Sequence, residues 1–376
     1  MSKNRIFPVI LAGGASSRLW PASHRERPKW DLRLFGGATK EGQPQSLLEG
    51  AWARGRAVAP ASDCFVVAGA AQAPLIRESL TELHAHNLLI EPEPRDTAGA
   101  VAYAAAALVE RTKSDSTRTG VMLVLPGDHV IHEVERFAET TRAGAEAAVQ
   151  LNALMTYGIV PQKPATGYGY IHRGEAVKLD GAEPSVPPVF RVSEFREKPD
   201  LATAEQYVKS GEYYWNGGIF LYPVSVLVAE FKRQLPGHGE MIENLARSTP
   251  GSDAWNDGAR RFFPALKKIS IDFGIMEKAQ TVATVAANFD WDDIGSWSAV
   301  MAHLQKGDNT TGAGTELIPV DSKNNLVFAT GKRVALVGIE GVAVVVSGNE
   351  ILICRMDKDQ DVKKVSELVR DLNKPV

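Results

Sequence analysis

An apolar run at residues 6–11 leads into Gly13-Gly14 and then Ala15-Ser16-Ser17-Arg18-Leu19-Trp20-Pro21. Two glycines let a backbone approach a phosphate closely with its N–H groups turned toward the oxygens, and an arginine adds a fork of donors suited to the same anion. The third glycine of the G-x-G-x-x-G dinucleotide pattern is missing, which disfavours an NAD-dependent oxidoreductase, and no Gly-Lys-Ser/Thr of a Walker loop follows. By itself the segment is either a phosphate loop of another kind or a tight turn. Arg27-Pro28-Lys29 comes next. The Lys29 ammonium is a compact point charge suited to a phosphate, and a solvated surface lysine is the plain alternative.

Two carboxylates stand where strands should end. Asp128 in Pro126-Gly127-Asp128-His129 follows the apolar run 121–125, and Asp293 in Trp291-Asp292-Asp293-Ile294-Gly295-Ser296-Trp297 precedes an expected helix. A carboxylate at the C-terminal end of a parallel strand faces the ligand crevice, and Mg²⁺ often takes only one or two protein carboxylates, with phosphate oxygens completing its shell. A helix cap explains either aspartate equally well. Three further segments carry groups suited to sugar hydroxyls: Gly169 in Thr166-Gly167-Tyr168-Gly169-Tyr170, Glu197 beside Lys198, and Asn216 before Gly217-Gly218. Backbone groups, a carboxylate and an amide supply directional hydrogen bonds; a hairpin turn, an exposed ion pair and a β-bulge are their structural counterparts.

These residues need a frame. Short apolar strands (residues 6–11, 64–68, 88–90, 121–125) alternate with helical segments (47–59, 74–85, 97–111, 137–151), the pattern of a parallel sheet covered on both faces, with ligands along the strands' C-terminal edge. The middle, 154–305, mixes strands at 154–160, 189–195 and 218–222 with helices at 201–210 and 224–234. A Gly/Asp/Asn/Thr-rich linker at 307–314 precedes short β-branched runs every eight to ten residues, a small all-β module, and an amphipathic helix at 358–373. The expected organisation is an α/β catalytic unit over 1–305 with a mixed, mostly parallel sheet, and a β-rich module over 306–376.

Composition narrows the classes. The 376 residues carry a net charge of −3, which argues against a protein built to coat nucleic acid or an anionic membrane. No apolar run reaches the ~18 residues of a membrane span. Cys64 and Cys354 are isolated, with no metal-ligand spacing, as expected of a reducing, cytoplasmic setting.

In this order the segments resemble the sugar-1-phosphate nucleotidyltransferase family, most closely the bacterial mannose-1-phosphate guanylyltransferases. Leu11-Ala12-Gly13-Gly14, Arg27-Pro28-Lys29, Glu91-Pro92-Glu93-Pro94-Arg95-Asp96-Thr97-Ala98, Pro126-Gly127-Asp128-His129, Glu197-Lys198-Pro199, Trp215-Asn216-Gly217-Gly218, Ser270-Ile271-Asp272-Phe273 and Trp291–Trp297 carry the resemblance. It implies a Rossmann-like sheet flanked by helices and a short β-helical tail. It implies guanylyl transfer from GTP to a hexose 1-phosphate, mannose 1-phosphate first and a manno-heptose 1-phosphate as the rival. Leu11, Ala12, Gly13, Gly14 and Arg18 would bind the nucleotide, with Gly13, Gly14 and Arg18 on its phosphates and Lys29 on the reacting ones. Arg95, Asp96, Thr97 and Ala98 would line the base and ribose pocket, with Asp128 and Asp293 on Mg²⁺. Gly169, Glu197, Asn216 and Gly217 would grip the sugar, with Lys198 on its phosphate. An inactive sugar-nucleotide-binding paralogue is the non-enzymatic alternative, which the retained Arg18, Lys29, Asp128 and Asp293 disfavour. In the family the tail contributes to association of subunits, implying a homodimer, although its apolar strands could instead complete a core. The chain departs from the family at Trp30-Asp31, where Gln-Phe-Leu or Phe-Leu is usual, and at Gly127, where Ala is usual.

Overall fold

The computed structural model describes residues 4–14, 17–24, 26–35, 44–113, 119–180, 187–304 and 307–372. Ala15 and Ser16 of the glycine-rich loop, and the expected division between 305 and 306, lie outside the described residues. The first half alternates as the sequence suggests: β1 (Asn4–Leu11), α1 (Leu47–Arg56), β2 (Phe65–Gly69), α2 (Ala73–Ser79), β3 (Leu88–Glu91), α3 (Asp96–Lys113), β4 (Thr119–Pro126) and α4 (Val134–Gln150). Then come β5 (Leu154–Ile159), β6 (Gly169–Val177), β7 (Val189–Glu197), α5 (Leu201–Ser210), β8 (Tyr213–Pro223), α6 (Val224–Gln234), α7 (Pro236–Leu245), α8 (Asp253–Phe262), α9 (Ile271–Gly274) and β9 (Val282–Ala286). The last part holds α10 (Trp297–Leu304), β10 (Thr310–Thr311), β11 (Glu316–Val320), β12 (Leu326–Phe328), β13 (Arg333–Val337), β14 (Val342–Ser347), β15 (Glu350–Arg355) and α11 (Val362–Leu372).

Two compact units result, neither continuous in sequence: 1–13, 51–127 and 131–291 form the first, and 14–50, 128–130 and 292–376 the second. The first contains a nine-stranded sheet in the order β3-β2-β1-β4-β8-β5-β9-β7-β6. Its first four strands are parallel, as their continuous apolar runs require, and β5 pairs β9 in parallel. Antiparallel pairs join β8 to β4, β5 and β6, and join β7 to β6 and β9. The sheet is thus mixed, with the parallel character concentrated in the first half of the chain. Parallel strands need long crossovers, and the helices of that half supply them; the later strands can return directly.

Registers Leu11↔Val67, Leu11↔Pro126 and Gly69↔Glu91 bring the C-terminal ends of β1 to β4 to one edge. Backbone bonds from Ala12 N to Val67 O (2.9 Å) and from Gly127 N to Leu11 O (3.0 Å) extend the ladder past the strand ends. A Cβ on residue 127 would stand 3.1 Å from the Leu11 carbonyl oxygen, which accounts for glycine there. The alanine-rich α3 is buried from Ala98 through Leu108, as a helix apolar on every side must be. Alanine's high helix propensity and small size suit that central place. Beside it Trp255 Nε1 donates to Tyr103 Oη at 2.6 Å, and Phe263 meets the Tyr103 ring edge-on.

Several boundaries differ from the sequence expectation. α2 stops at Ser79 because Leu80 leaves helical geometry and is buried. β8 runs through Gly217-Gly218 instead of starting at Gly218, and the plain reading of that segment as a bulge agrees with the structure: Gly218 adopts φ +64°, and the pairing with β5 shifts register between Thr156 and Gly158. α7 and α8 lie outside the sequence expectation; α8 has few apolar positions, and Ser252 caps it by accepting from Trp255 N. The final helix begins at Val362, because buried Asp359 accepts from Ser298 N at 2.8 Å and holds residues 356–361 in a tighter turn.

In the second unit β10, β12 and β14 stack in parallel with offsets of 16 and 17 residues, β15 closes that sheet antiparallel, and β11 pairs β13 in parallel. These are the coils of a short β-helix. Asn325, fully buried, ties them together: its Nδ2 donates to Asn309 Oδ1 (2.9 Å) and to Ile339 O (2.8 Å), and its Oδ1 accepts from Val342 N (3.0 Å). Trp297, also fully buried, packs on Phe328 and donates through Nε1 to Trp20 O. Among the described residues no helix is long and apolar enough to cross a membrane.

Removing the Asn325 amide breaks three partly buried hydrogen bonds at once, to Asn309 Oδ1, Ile339 O and Val342 N. Asn325→Ala is expected to destabilise the protein by roughly 2–4 kcal/mol, read by urea denaturation; a loss below about 0.5 kcal/mol would contradict the bridging role.

Candidate functional site

In the second unit the structure brings together three of the residues singled out from sequence. Lys29 opens a short 3₁₀ turn, Lys29–Asp31, and is only 6% exposed. Its Nζ donates to Asp128 Oδ2 at 2.9 Å and to the main-chain oxygen of Asp293. A buried ammonium needs such acceptors, so Lys29 is a structured charge and not a solvated one. Ile294 adopts φ +46°, uncommon for a β-branched residue, with its N–H on Asp292 Oδ1 at 2.6 Å. Strain of this kind, on the order of 1–3 kcal/mol, accompanies the bend that turns the Asp293 carbonyl to Lys29. Gly295 leaves space for the Asp293 carboxylate, since a Cβ there would lie 3.3 Å from it.

Burial drives the Asp128 carboxyl up, but the Lys29 charge, the nearby His129 and the hydrogen bonds it accepts outweigh this and hold it below the usual carboxylate range. It is therefore an anion throughout the neutral range. Gly14 at φ +88° and Arg18, both exposed, precede this set in the chain. The departures at Trp30 and Asp31 have a structural account: Trp30 is buried and Asp31 pairs with Arg27 at 3.7 Å. The donors here are hard oxygens. Among the described residues no three His, Cys, Asp or Glu side chains gather to enclose a metal. One carboxylate, that of Asp128, and the main-chain oxygen of Asp293 meet at Lys29, and oxygen donors without a closed cage are compatible with Mg²⁺ shared with phosphate.

A second set forms within the first unit. Gly169 starts β6 and pairs Glu197 at the end of β7. A Cβ on Gly169 would stand 2.6 Å from Glu197 Oε2, so glycine makes room for that carboxylate. Lys198, at φ +46°, pairs with Glu197 through Nζ. Asn216 donates from Nδ2 to Asp272 Oδ1 at 2.8 Å, while its Oδ1 accepts from Thr156 Oγ1 (3.1 Å) and Gly218 N (3.2 Å). Burial, with Glu197 adding to it, raises the Asp272 carboxyl against the opposing Asn216 bond. Tyr168 lies edge-on to both Trp215 and Trp291, at 5.0 and 5.4 Å. Gly217 plays a packing part, because a Cβ there would press on Ile159 Cγ1 at 3.2 Å.

The third group, also in the first unit, lies at the end of β3 and the start of α3. Arg95 is engaged by Glu93 (2.6 Å) and by Pro264 O (2.7 Å), so it braces the segment. Asp96, at φ +62°, accepts from Thr97 N, and Thr97 Oγ1 accepts from Ile271 N at 2.8 Å. Ala98 N donates to Ile269 O. Leu11, Ala12 and Gly13 lie on the same sheet edge as Glu91. Glu91 Oε1 is buried with no hydrogen-bond partner among the described residues, and burial raises the carboxyl to about 7. Sequence reasoning gave no role to Glu91, Asp272 or the Tyr168–Trp291 contact. Both acids lie inside segments it quoted, but the signal of an acid is its surroundings, which depend on distant parts of the chain.

Two family models match the chain: nucleotidyl transferase over residues 7–309, and a mannose-phosphate isomerase/GMP-like β-helix domain over 315–369. The chain is 35% identical over 378 residues to the mannose-1-phosphate guanylyltransferase ManC of Salmonella typhimurium, covering 98% of this chain and 74% of that protein. It is 34% identical over 375 residues to the mannose-1-phosphate guanylyltransferase of Escherichia coli, with 98% and 74% covered. A solved structure from Thermus thermophilus, named mannose-1-phosphate geranyltransferase, superposes with a TM-score of 0.82 at 32% identity, covering 98% of this chain and all of that one.

Glu91 makes stability depend on pH. Its carboxyl loses a proton near 7 in the folded chain and near ~4.3 when unfolded, so between those values the folded state holds the extra proton. Stability falls as pH rises through that window and is flat above it, by up to on the order of 3 kcal/mol. Glu91→Gln is expected to lack this component, so wild type should lose ground to the variant between about pH 4.5 and 7.5 in denaturant midpoints. Parallel profiles would refute the assignment.

Proposed function

The chain belongs to the nucleotidyl transferase family, and on that premise we propose that it transfers a guanylyl group from GTP to mannose 1-phosphate, giving GDP-mannose and pyrophosphate. The observation that carries this is identity of 35% across nearly the whole chain to a protein named for that activity. In the reaction an oxygen of the sugar phosphate attacks the α-phosphorus in line. The new P–O bond forms as the bond to the β-phosphate breaks, and pyrophosphate leaves with that electron pair. The nucleophile is already ionised near neutral pH, so the protein need not remove a proton.

The difficulty is charge, because two anions must meet. Gly13, Gly14 and Arg18 hold the triphosphate, and Lys29 meets the reacting phosphates. Asp128 and Asp293 would hold Mg²⁺, which would supply positive charge to neutralise the phosphates. Lys198 meets the sugar phosphate, while Gly169, Glu197 and Asn216 receive the hydroxyls. The segment Arg95–Ala98 shapes the base and ribose pocket. Glu91 suits guanine, whose adjacent N1–H and N2–H donors match a carboxylate lacking a partner. The reading extends to a homodimer, which gel filtration reads directly.

Pyrophosphate release from GTP, Mg²⁺ and mannose 1-phosphate tests the activity, against a panel of other nucleotides and hexose or heptose 1-phosphates. Release across none of them would end the enzyme reading; preference for a heptose would change the substrate alone. Asp128→Asn is expected to lower kcat by about two orders of magnitude or more with its circular dichroism unchanged; near-normal turnover would remove Asp128 from the metal role. Glu91→Gln should narrow the GTP-over-ATP preference in kcat/KM by roughly tenfold, and an unchanged ratio would rule out base reading by Glu91.

A further inference from the structure

We propose that Asp272 is a positioning residue for sugar selection: it fixes the sense of the Asn216 amide so that Asn216 can only donate to a substrate hydroxyl. This rests on the reading that Asn216 meets the sugar. An asparagine amide has two N–H donors and two lone pairs on its oxygen. At Asn216 the oxygen accepts from Gly218 N and faces Thr156 Oγ1 at 3.1 Å, nearer than that hydroxyl's other acceptor, Ile219 O at 3.4 Å, so when the hydroxyl donates to Asn216 both lone pairs are filled, and one N–H goes to Asp272. One N–H remains. Nothing else of the side chain is left for a ligand.

Rotating the amide by half a turn would set its oxygen against the Asp272 carboxylate and its NH₂ against the Gly218 N–H. Thr156 is indifferent, since a hydroxyl both donates and accepts. The two fixed groups are the Gly218 donor and the Asp272 acceptor. Only Asp272 is a side chain, so it is the one whose removal frees the amide without altering β8. Asp272 is itself held in place. It sits on the one-turn helix α9, whose cap Ser270 accepts from Phe273 N, while Ile271 N donates to Thr97 Oγ1 at the start of α3.

Specificity follows from the hydrogen-bond polarity. Glu197, for which Gly169 makes room, is an acceptor; the remaining Asn216 N–H is a donor. A donor and an acceptor of fixed sense suit two hydroxyls, one accepting and one donating. A site built this way penalises a substrate lacking the hydroxyl, because its own polar groups are left unpaired.

The test pairs protein variants with mannose 1-phosphate analogues that each lack one ring or exocyclic hydroxyl, reading kcat and KM for each. In wild type, one analogue should lose roughly tenfold or more in kcat/KM, with GTP KM unchanged. In Asp272→Ala the parent should weaken through KM by about tenfold, and that analogue's penalty should shrink to within about twofold. Asp272→Asn keeps an oxygen that can accept from Asn216 and should restore the penalty. An Asp272→Ala enzyme that keeps full discrimination, or that loses every analogue and GTP alike, overturns the positioning role. Asn216→Ala separates the two layers. If it abolishes the penalty while Asp272→Ala does not, only the role of Asp272 fails; if it changes no analogue, the sugar reading fails and the proposal with it.

Discussion

A buried ammonium is the constraint around which the second unit is arranged. Lys29 cannot be withdrawn from water without acceptors, and it finds a carboxylate at 2.9 Å and a main-chain oxygen. Those acceptors are more than 90 residues away in one case and more than 260 in the other. Strand-like pairing of Val130 with Asp292 holds the two acceptor segments side by side, and the left-handed turn at Ile294 aims the carbonyl. The same ion pair keeps Asp128 ionised. A carboxylate paired with a buried cation keeps its negative charge through the neutral range.

In the first unit the polar candidates are held by direction. Its hydroxyl-binding candidates are set by close approach: glycine at 169 leaves space for Glu197, and the bulge at Gly218 supplies an N–H to the Asn216 oxygen. Each polar group is oriented by another, so the set has few alternative arrangements. Where one group lacks a partner, as at Glu91, its carboxyl is raised to about 7. An unpartnered buried acid is costly unless a ligand meets it, which makes it informative about what binds.

The sequence by itself determined the alternating elements of the first half and the order of the chemical segments. Continuous apolar runs between helices specify parallel strands, because both faces must be buried, and β1 to β4 are joined that way. Glycines ahead of Arg18, and acids after strands, singled out candidates for phosphate and metal chemistry. Local composition could not determine which of two plain readings each residue takes. Lys29 could have been a surface lysine, and Gly217-Gly218 the start of a strand instead of a bulge within one. Glu91 and Asp272 were invisible as functional candidates, because a carboxyl's charge and partners depend on burial and on neighbours far along the chain. The physical reason is range: helix and strand patterns arise from contacts a few residues apart, whereas desolvation and paired charges arise only where the fold brings distant segments within about 3 Å.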